Sequence, residues 1–270
     1  MSPPLVAIRG GGDLATGVAV RLHRAGFSVL VLEIQQPLAV RRLVALAEAI
    51  NAGRVVVEGI EGRRADSPEE VASLLQTGVI PVLVDPLATS ASVLRPAAIV
   101  DGRMRKAPSE LPLDAAQLIV GLGPGFEAGV DCHAVIETRR GHHLGRILWQ
   151  GRASPDTKIP EAVEGYAVDR VLRAPRSGVM QGLAPIGSLV RQGDALLAID
   201  RQQVDAPFDG ALRGLLHDGV RVERGMKVGD LDPRREARFC REVSDKALAV
   251  GGAALEAILS RPELRRRLAE

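Results

Sequence analysis

The sequence predicts an α/β protein: a Rossmann-like parallel-sheet domain over residues 1–165, a β module over 166–235, and a C-terminal helix with its tail over 236–270. Three observations carry this. Short apolar runs alternate with helical stretches through the first part, and most of the runs stop at Gly or Asp, the pattern of a buried parallel sheet. From Tyr166 onward the text turns rich in Gly, Pro and Val and loses any long helical period. That second stretch also repeats itself at an offset of 32 residues.

Taken in order, Leu5-Val6-Ala7-Ile8 is a strand that stops at Gly10-Gly11-Gly12. A helix follows from Leu14 to Ala25, with apolar Leu14, Val18 and Leu22 on one face and Gly26 past its end. Val29 to Leu32 is the next strand, ending at Glu33. Val40 to Ile50 reads as a helix, Val55 to Val57 as a strand, and Pro68 to Leu75 as a helix with Ser67 as its N-cap. Ile80 to Val84 runs into Asp85-Pro86, Ala98-Ile99-Val100 ends at Asp101, and Leu118-Ile119-Val120 ends at a glycine-rich turn.

In the β module, Ala174-Pro175-x-x-Gly178 recurs as Ala206-Pro207-x-x-Gly210, and Val190-x-x-Gly193 as Val222-x-x-Gly225. Ile199-Asp200 recurs as Leu231-Asp232. Two matched halves of this size look like the barrel-sandwich hybrid of biotinyl and lipoyl domains, each half too small to bury its apolar face alone. A carrier domain needs a lysine on the connecting hairpin. The hairpin at Asp200-Arg201-Gln202-Gln203 has none, and Met226-Lys227 lies too late, so neither covalent biotin nor lipoate is expected. Cys240 to Leu259 reads as a helix, with Ser244 or Asp245 near its start and a Gly251-Gly252 pair inside that marks either close packing against another backbone or ligand, or a break, and Arg261 to Glu270 as a solvated charged tail.

Composition narrows the function. Four Phe, one Tyr and one Trp in 270 residues leave few rings for base stacking. A net charge of +2 from 35 basic and 33 acidic residues gives no polyelectrolyte character, so no nucleic-acid partner is expected. Two cysteines, Cys132 and Cys240, are too few for a disulfide framework and point to a reducing compartment. The first residues lack the pattern of a signal peptide, and no apolar run reaches the ~18 residues of a membrane span. The expectation is a cytoplasmic protein without a membrane partner, with homo-oligomer formation left open.

The chemistry concentrates in three places. Gly10-Gly11-Gly12-Asp13-Leu14-Ala15 fits G-x-G-x-x-A after a strand and at the start of a helix, and Glu33 ends the next strand where it could hold a ribose hydroxyl. Glycines let a pyrophosphate approach, and the helix N-terminus offers N–H groups to its charge. The alternative is a tight turn that binds nothing. Asp13 is unusual, because a carboxylate there repels phosphate unless it points away or holds a cation. Gly121-Leu122-Gly123-Pro124-Gly125-Phe126 is a second loop with exposed amides, or a simple turn. Both loops would face one crevice if they share the carboxyl edge of one sheet. The segment Glu137 to Arg146 holds Arg139, Arg140 and Arg146, which could clamp phosphates, and His142 and His143, which could move a proton or bind metal. A solvated turn is the alternative. Cys132-His133 are adjacent on a strand and so point to opposite faces. Cys240 precedes a helix whose dipole could lower its pKa. Cys240, His142 and His143 are the candidate catalytic groups. No Ser-His-Asp order, paired CxxC, HExxH or Walker lysine supports a hydrolase or phosphotransferase.

Several segments together resemble one family. They are Arg9 to Gly17, Ile80 to Pro86, Gly121 to Phe126, Ile136 to Arg146, Gly229-Asp230-Leu231-Asp232-Pro233-Arg234 and Ser244-Asp245-Lys246-Ala247-Leu248-Ala249. In this order they are similar to the accessory proteins of selenium-dependent molybdenum hydroxylases, more distantly to xanthine dehydrogenase accessory proteins that load molybdenum cofactor. The resemblance implies a role in maturing a molybdenum hydroxylase client, with the molybdopterin dinucleotide, NAD(P) or another nucleotide as the small-molecule cofactor. A nicotinamide-dependent oxidoreductase and a non-catalytic cofactor chaperone are the alternatives. The chain departs from the family pattern at Asp101-Gly102-Arg103-Met104-Arg105-Lys106, where Ala-Lys is expected. It departs again at Asp156-Thr157-Lys158-Ile159-Pro160-Glu161, where Asn-Thr-Gly-Ile-Pro-Gly is expected.

Overall fold

The computed structural model describes residues 3–104, 110–156 and 163–269. The chain divides into two compact units, one of residues 1–37, 46–156 and 243–270, the other of 38–45 with 157–242.

The first unit is built on a nine-stranded sheet. Its strands are β1 (Leu5–Arg9), β2 (Ser28–Glu33), β3 (Arg54–Val57), β4 (Ile60–Ala65), β5 (Ile80–Val84), β6 (Ala98–Asp101), β7 (Leu118–Leu122), β9 (Ala134–Ile136) and β10 (Ile147–Leu148). They lie in the order β10-β9-β7-β6-β1-β2-β5-β4-β3. From β4 to β9 every neighbouring pair is parallel, and only the edge strands β3 and β10 are antiparallel. A small β8 (Glu127–Ala128) pairs with β11 (Gly151–Arg152). The chain leaves β1 for β2 on one side and returns to β6 on the other. Their carboxyl ends, at Arg9 and Asp101, are therefore where the connections diverge, the position at which open α/β sheets commonly take ligands.

Five helices, α1 (Asp13–Arg24), α2 (Glu48–Ala52), α3 (Pro68–Gln76), α4 (Ala91–Leu94) and α5 (Asp245–Leu259), accompany the sheet, and α6 (Pro262–Ala269) follows. One face is an apolar core in which Ala7, Leu30, Ile99, Ile119 and Phe126 meet Val71 and Leu74 of α3. The α3 helix starts as its sequence predicts: Ser67 Oγ accepts from the Glu70 amide at 3.3 Å, and Pro68 occupies the first turn, where no N–H is needed. The long helices α1 and α5 pack on each other and advance in the same direction, Gly17 against Ala247 and Gly251, and Arg21 against Gly251.

The second unit holds two four-stranded antiparallel sheets. The strands are β12 (Val171–Arg173), β13 (Gly178–Gly182), β14 (Leu189–Val190), β15 (Ala195–Ile199), β16 (Gln202–Asp205), β17 (Gly210–Leu215), β18 (Arg221–Val222) and β19 (Lys227–Asp232). Their orders are β12-β19-β17-β14 and β16-β15-β13-β18. The repeat maps β13 onto β17, β14 onto β18 and β15 onto β19. Within each half the first strand pairs with the third, whereas β14 pairs with β17 and β18 with β13. Each half lends its short second strand to the other's sheet, and Leu172, Met180, Leu197, Phe208, Leu212 and Leu231 form the shared core. Neither half has a complete sheet alone.

Three expectations from sequence are corrected. Residues 40–50 are not one helix: a 3-10 turn at Arg42–Val44 precedes α2, because Arg41 and Arg42 reach carbonyls of the second unit. Arg41 donates to Phe239 and Glu242 at 2.9 Å each, and Arg42 to Leu215 at 2.8 Å. The helix predicted from Cys240 starts later. Ala237–Cys240 is a 3-10 turn in the second unit, and α5 begins only after Ser244, whose Oγ accepts from Ala247 at 3.2 Å. The charged tail beyond Arg261 is mostly α6, whose Leu264 is buried.

Candidate functional site

The turn after β1 is fastened on every side. Gly10 adopts φ +86°, open to glycine, and its amide donates to Leu32 O at 2.7 Å. Gly11 O accepts from the Ala47 amide at 2.9 Å and from Thr16 Oγ1 at 3.1 Å. A Cβ on Gly11 would lie 2.6 Å from Ala47 N, so this glycine is required by packing. Glu33, at the end of β2, folds back: Oε1 accepts from Gly11 N at 2.8 Å and Oε2 from Ile34 N at 2.7 Å. The acidic group thus stands beside the turn, as the spacing predicts, and the Gly11 amide belongs to it rather than to a ligand.

Gly12 is different. It is the N-cap of α1 with no side-chain cap, and a Cβ built on it meets nothing within 4 Å. Gly12, Asp13 and Leu14 are half-buried and Ala15 is buried. An uncapped first helical turn below open space is the geometry that receives an anion.

The second glycine loop lies at the same carboxyl edge, since β7 is separated from β1 only by β6. Its glycines are spent on packing. A Cβ on Gly121 would run into the Phe126 ring. Gly123, at φ +82°, donates to Ile136 O at 3.0 Å and abuts Thr138 and Met104. Gly125 is buried and Pro124 has no N–H to offer. The space between the two loops is narrowed by the segment after β6, with Arg103 Cγ 3.2 Å from a Cβ on Gly10 and Met104 Cε 3.1 Å from one on Gly123. A shared cleft lined by both sets of amides is therefore not what the structure forms.

Glu137 to Arg146 is the turn between β9 and β10. Three strand spacings, roughly 14 Å, separate β9 from β1. Glu137 is buried and accepts from Arg139 N and Ser154 N, each at 2.7 Å. Burial opposes its ionisation, but these amide donors prevail and hold its pKa below the usual carboxylate range. Arg140 makes a two-pronged ion pair with Asp245 at the start of α5, one arm at 2.6 Å. His142, His143 and Arg146 line an open groove of about 360 Å³ with Trp149 and Glu256. The imidazoles stand edge to face at 5.1 Å. Arg139 is exposed. The segment's ion pair and groove thus both involve α5.

Both thiols are buried. Cys240 Sγ lies 3.7 Å from Leu212 O, and burial raises its pKa where a helix dipole was expected to lower it. Burial pushes the Cys132 thiol up to about 12, and its neighbour His133 instead accepts the Ile119 amide at 2.9 Å. Among the described residues no group of three or more His, Cys, Asp or Glu is placed to hold a metal ion. The departures at Arg105-Lys106 and at 157–161 lie outside the described residues.

Two buried ion clusters escaped the sequence reading. Arg9, 1% exposed, donates to Asp101 at 3.2 Å, to Glu110 at 3.3 Å and to Pro86 O at 3.0 Å, while Arg103 joins Asp101 and Glu110. In the second unit Asp232 receives Arg213 at 3.0 Å and Arg234 at 2.5 Å, which accounts for part of the Gly229–Arg234 motif. The available signal was a charge at the last position of an apolar strand, Arg9 on β1 and Asp101 on β6.

No family model matches the chain. It is 45% identical over 255 residues to a protein of Escherichia coli strain K12 that bears the name uncharacterized protein YqeB, over 94% of this chain and 47% of that protein. The chain thus spans about half the length of the curated relative it matches. An aspartoacylase family protein from Mesorhizobium loti aligns over 86% of this chain and 85% of its own, at 11% identity and a TM-score of 0.23, too low to bear on fold or function. Among the described residues no helix is long and apolar enough to cross a membrane.

Proposed function

We propose that the first unit is a Rossmann-like domain that binds the nucleotide part of a dinucleotide cofactor at the Gly10–Ala15 turn. The single observation carrying this is the open space over Gly12, at an uncapped helix N-terminus beside the Glu33 carboxylate. The divergence of β2 and β6 on either side of β1 supports the same reading.

The resemblance set out above suggests the use: an accessory protein in maturation of a selenium-dependent molybdenum hydroxylase, with molybdopterin dinucleotide as cargo. The α1 amides would hold the pyrophosphate and Glu33 would reach a ribose hydroxyl. The molybdenum centre would supply its chemistry in the client. The second unit, with its interleaved 32-residue halves, is read as a barrel-sandwich-hybrid module for docking.

A nicotinamide-dependent oxidoreductase is the second reading, favoured by the acidic residue at the end of β2, which suits a ribose diol equally well. Mass spectrometry of small molecules released from natively purified protein separates the two. A pterin dinucleotide supports cofactor handling. Bound NAD(P) with substrate-dependent oxidation supports the dehydrogenase. Protein that carries no nucleotide and binds none when titrated with either contradicts both.

A further inference from the structure

At the carboxyl ends of β1 and β6, two guanidinium groups converge on one partly exposed carboxylate. Arg9 is 1% exposed and Asp101 wholly buried, so these two are permanent members of the cluster. Arg103 follows β6 and is 19% exposed. Glu110 belongs to no strand or helix, is 43% exposed, and meets Arg103 at 2.9 Å and Arg9 at 3.3 Å. Among the described residues, two guanidinium groups face two carboxylates here. Removing the Glu110 carboxylate takes a counter-charge from Arg9 and Arg103 at a partly buried position, a loss that another anion can make good. Arg103 also borders the first glycine turn, with its Cγ 3.2 Å from a Cβ on Gly10.

The geometry points to an oxyanion seat formed by Arg9 and Arg103, occupied from within the chain by Glu110, which a carboxylate or phosphate group of a ligand enters by replacing the Glu110 side chain. Planar guanidinium forks suit either group in two-pronged fashion. The seat is separate from the α1 amides and does not depend on a nucleotide binding there. Glu110 works as an internal competitor: an external anion pays the cost of displacing it, so its removal should tighten binding.

The test titrates inorganic phosphate and propionate, in separate arms, into the full chain at low ionic strength. Wild type, Glu110→Gln, Glu110→Ala and Glu110→Ala/Arg103→Ala are compared by calorimetry and by Tm. Both Glu110 variants should bind at least one of the anions about tenfold more tightly than wild type. That anion should restore the Tm lost in Glu110→Ala, and the double variant should lose the gain. Preference for phosphate assigns a phosphoryl ligand, and preference for propionate a carboxylate. A Gly12→Val/Glu110→Ala variant should keep the anion affinity of Glu110→Ala. Unchanged affinity in both Glu110 variants, an equal gain in the Arg103 double variant, or loss of the anion with Gly12→Val would each overturn the assignment.

Discussion

Gly17 and Gly251 bring two helices into backbone contact. A Cβ on Gly251 would lie 2.8 Å from the Gly17 carbonyl carbon, and one on Gly17 2.6 Å from that of Ala247. This contact seats α5, the last long helix, on α1, the helix that carries the candidate binding turn. Glycine in mid-helix costs about 1 kcal/mol against alanine, so its use here reflects packing that no side chain would permit.

The neighbouring glycines of α5 should therefore respond in opposite directions. Gly251→Ala forces backbone apart and is expected to destabilise the fold by about 2–3 kcal/mol. Gly252 has nothing within 4 Å of its would-be Cβ, and Gly252→Ala should stabilise by about 0.5–1 kcal/mol. Urea denaturation of both variants checks the pair.

The buried Glu137 should leave a pH signature. Its folded pKa lies below its unfolded value, so its stabilising contribution is present above the unfolded pKa, about 4.3, and lost as pH falls through the folded value. Glu137→Gln should cost about 1–3 kcal/mol near neutrality. The difference from wild type should shrink steadily on acidification below about pH 4. A gap independent of pH would show that the charge on Glu137 is not what the Arg139 and Ser154 amides require.

Thiol chemistry gives a third expectation. With Cys132 and Cys240 buried and both pKa values raised, native protein at pH 8 should react with a thiol-specific disulfide reagent far more slowly than a small free thiol. Both should react at once in guanidinium chloride. Fast modification of the native chain at Cys240 would revive it as a chemical group.

What could be read from the sequence was what repeats or punctuates. The strand–glycine–helix turn, Glu33 beside it, Ser67 as a cap and the 32-residue repeat all leave local marks. Partners distant in sequence leave none. Nothing near Arg41 announces that Phe239 and Glu242, almost two hundred positions on, will unwind residues 40–46 by accepting its hydrogen bonds. Arg9 and Asp101 become meaningful only once β1 and β6 are known to be neighbours. Gly121 and Gly123 look like ligand-binding glycines because packing against Phe126 and Thr138 demands the same residue as a phosphate would.

Whether Gly12 opens a nucleotide site is decided by a single binding comparison. Isothermal titration of wild type and Gly12→Val with NAD⁺ and with a pterin dinucleotide should show binding of at least one by wild type. It should show none by the variant, whose fold should persist with a urea midpoint only modestly lowered, because the new Cβ meets nothing within 4 Å while valine is a poorer N-cap than glycine. Equal affinity in the two proteins, with the fold intact, would rule out a site at Gly12.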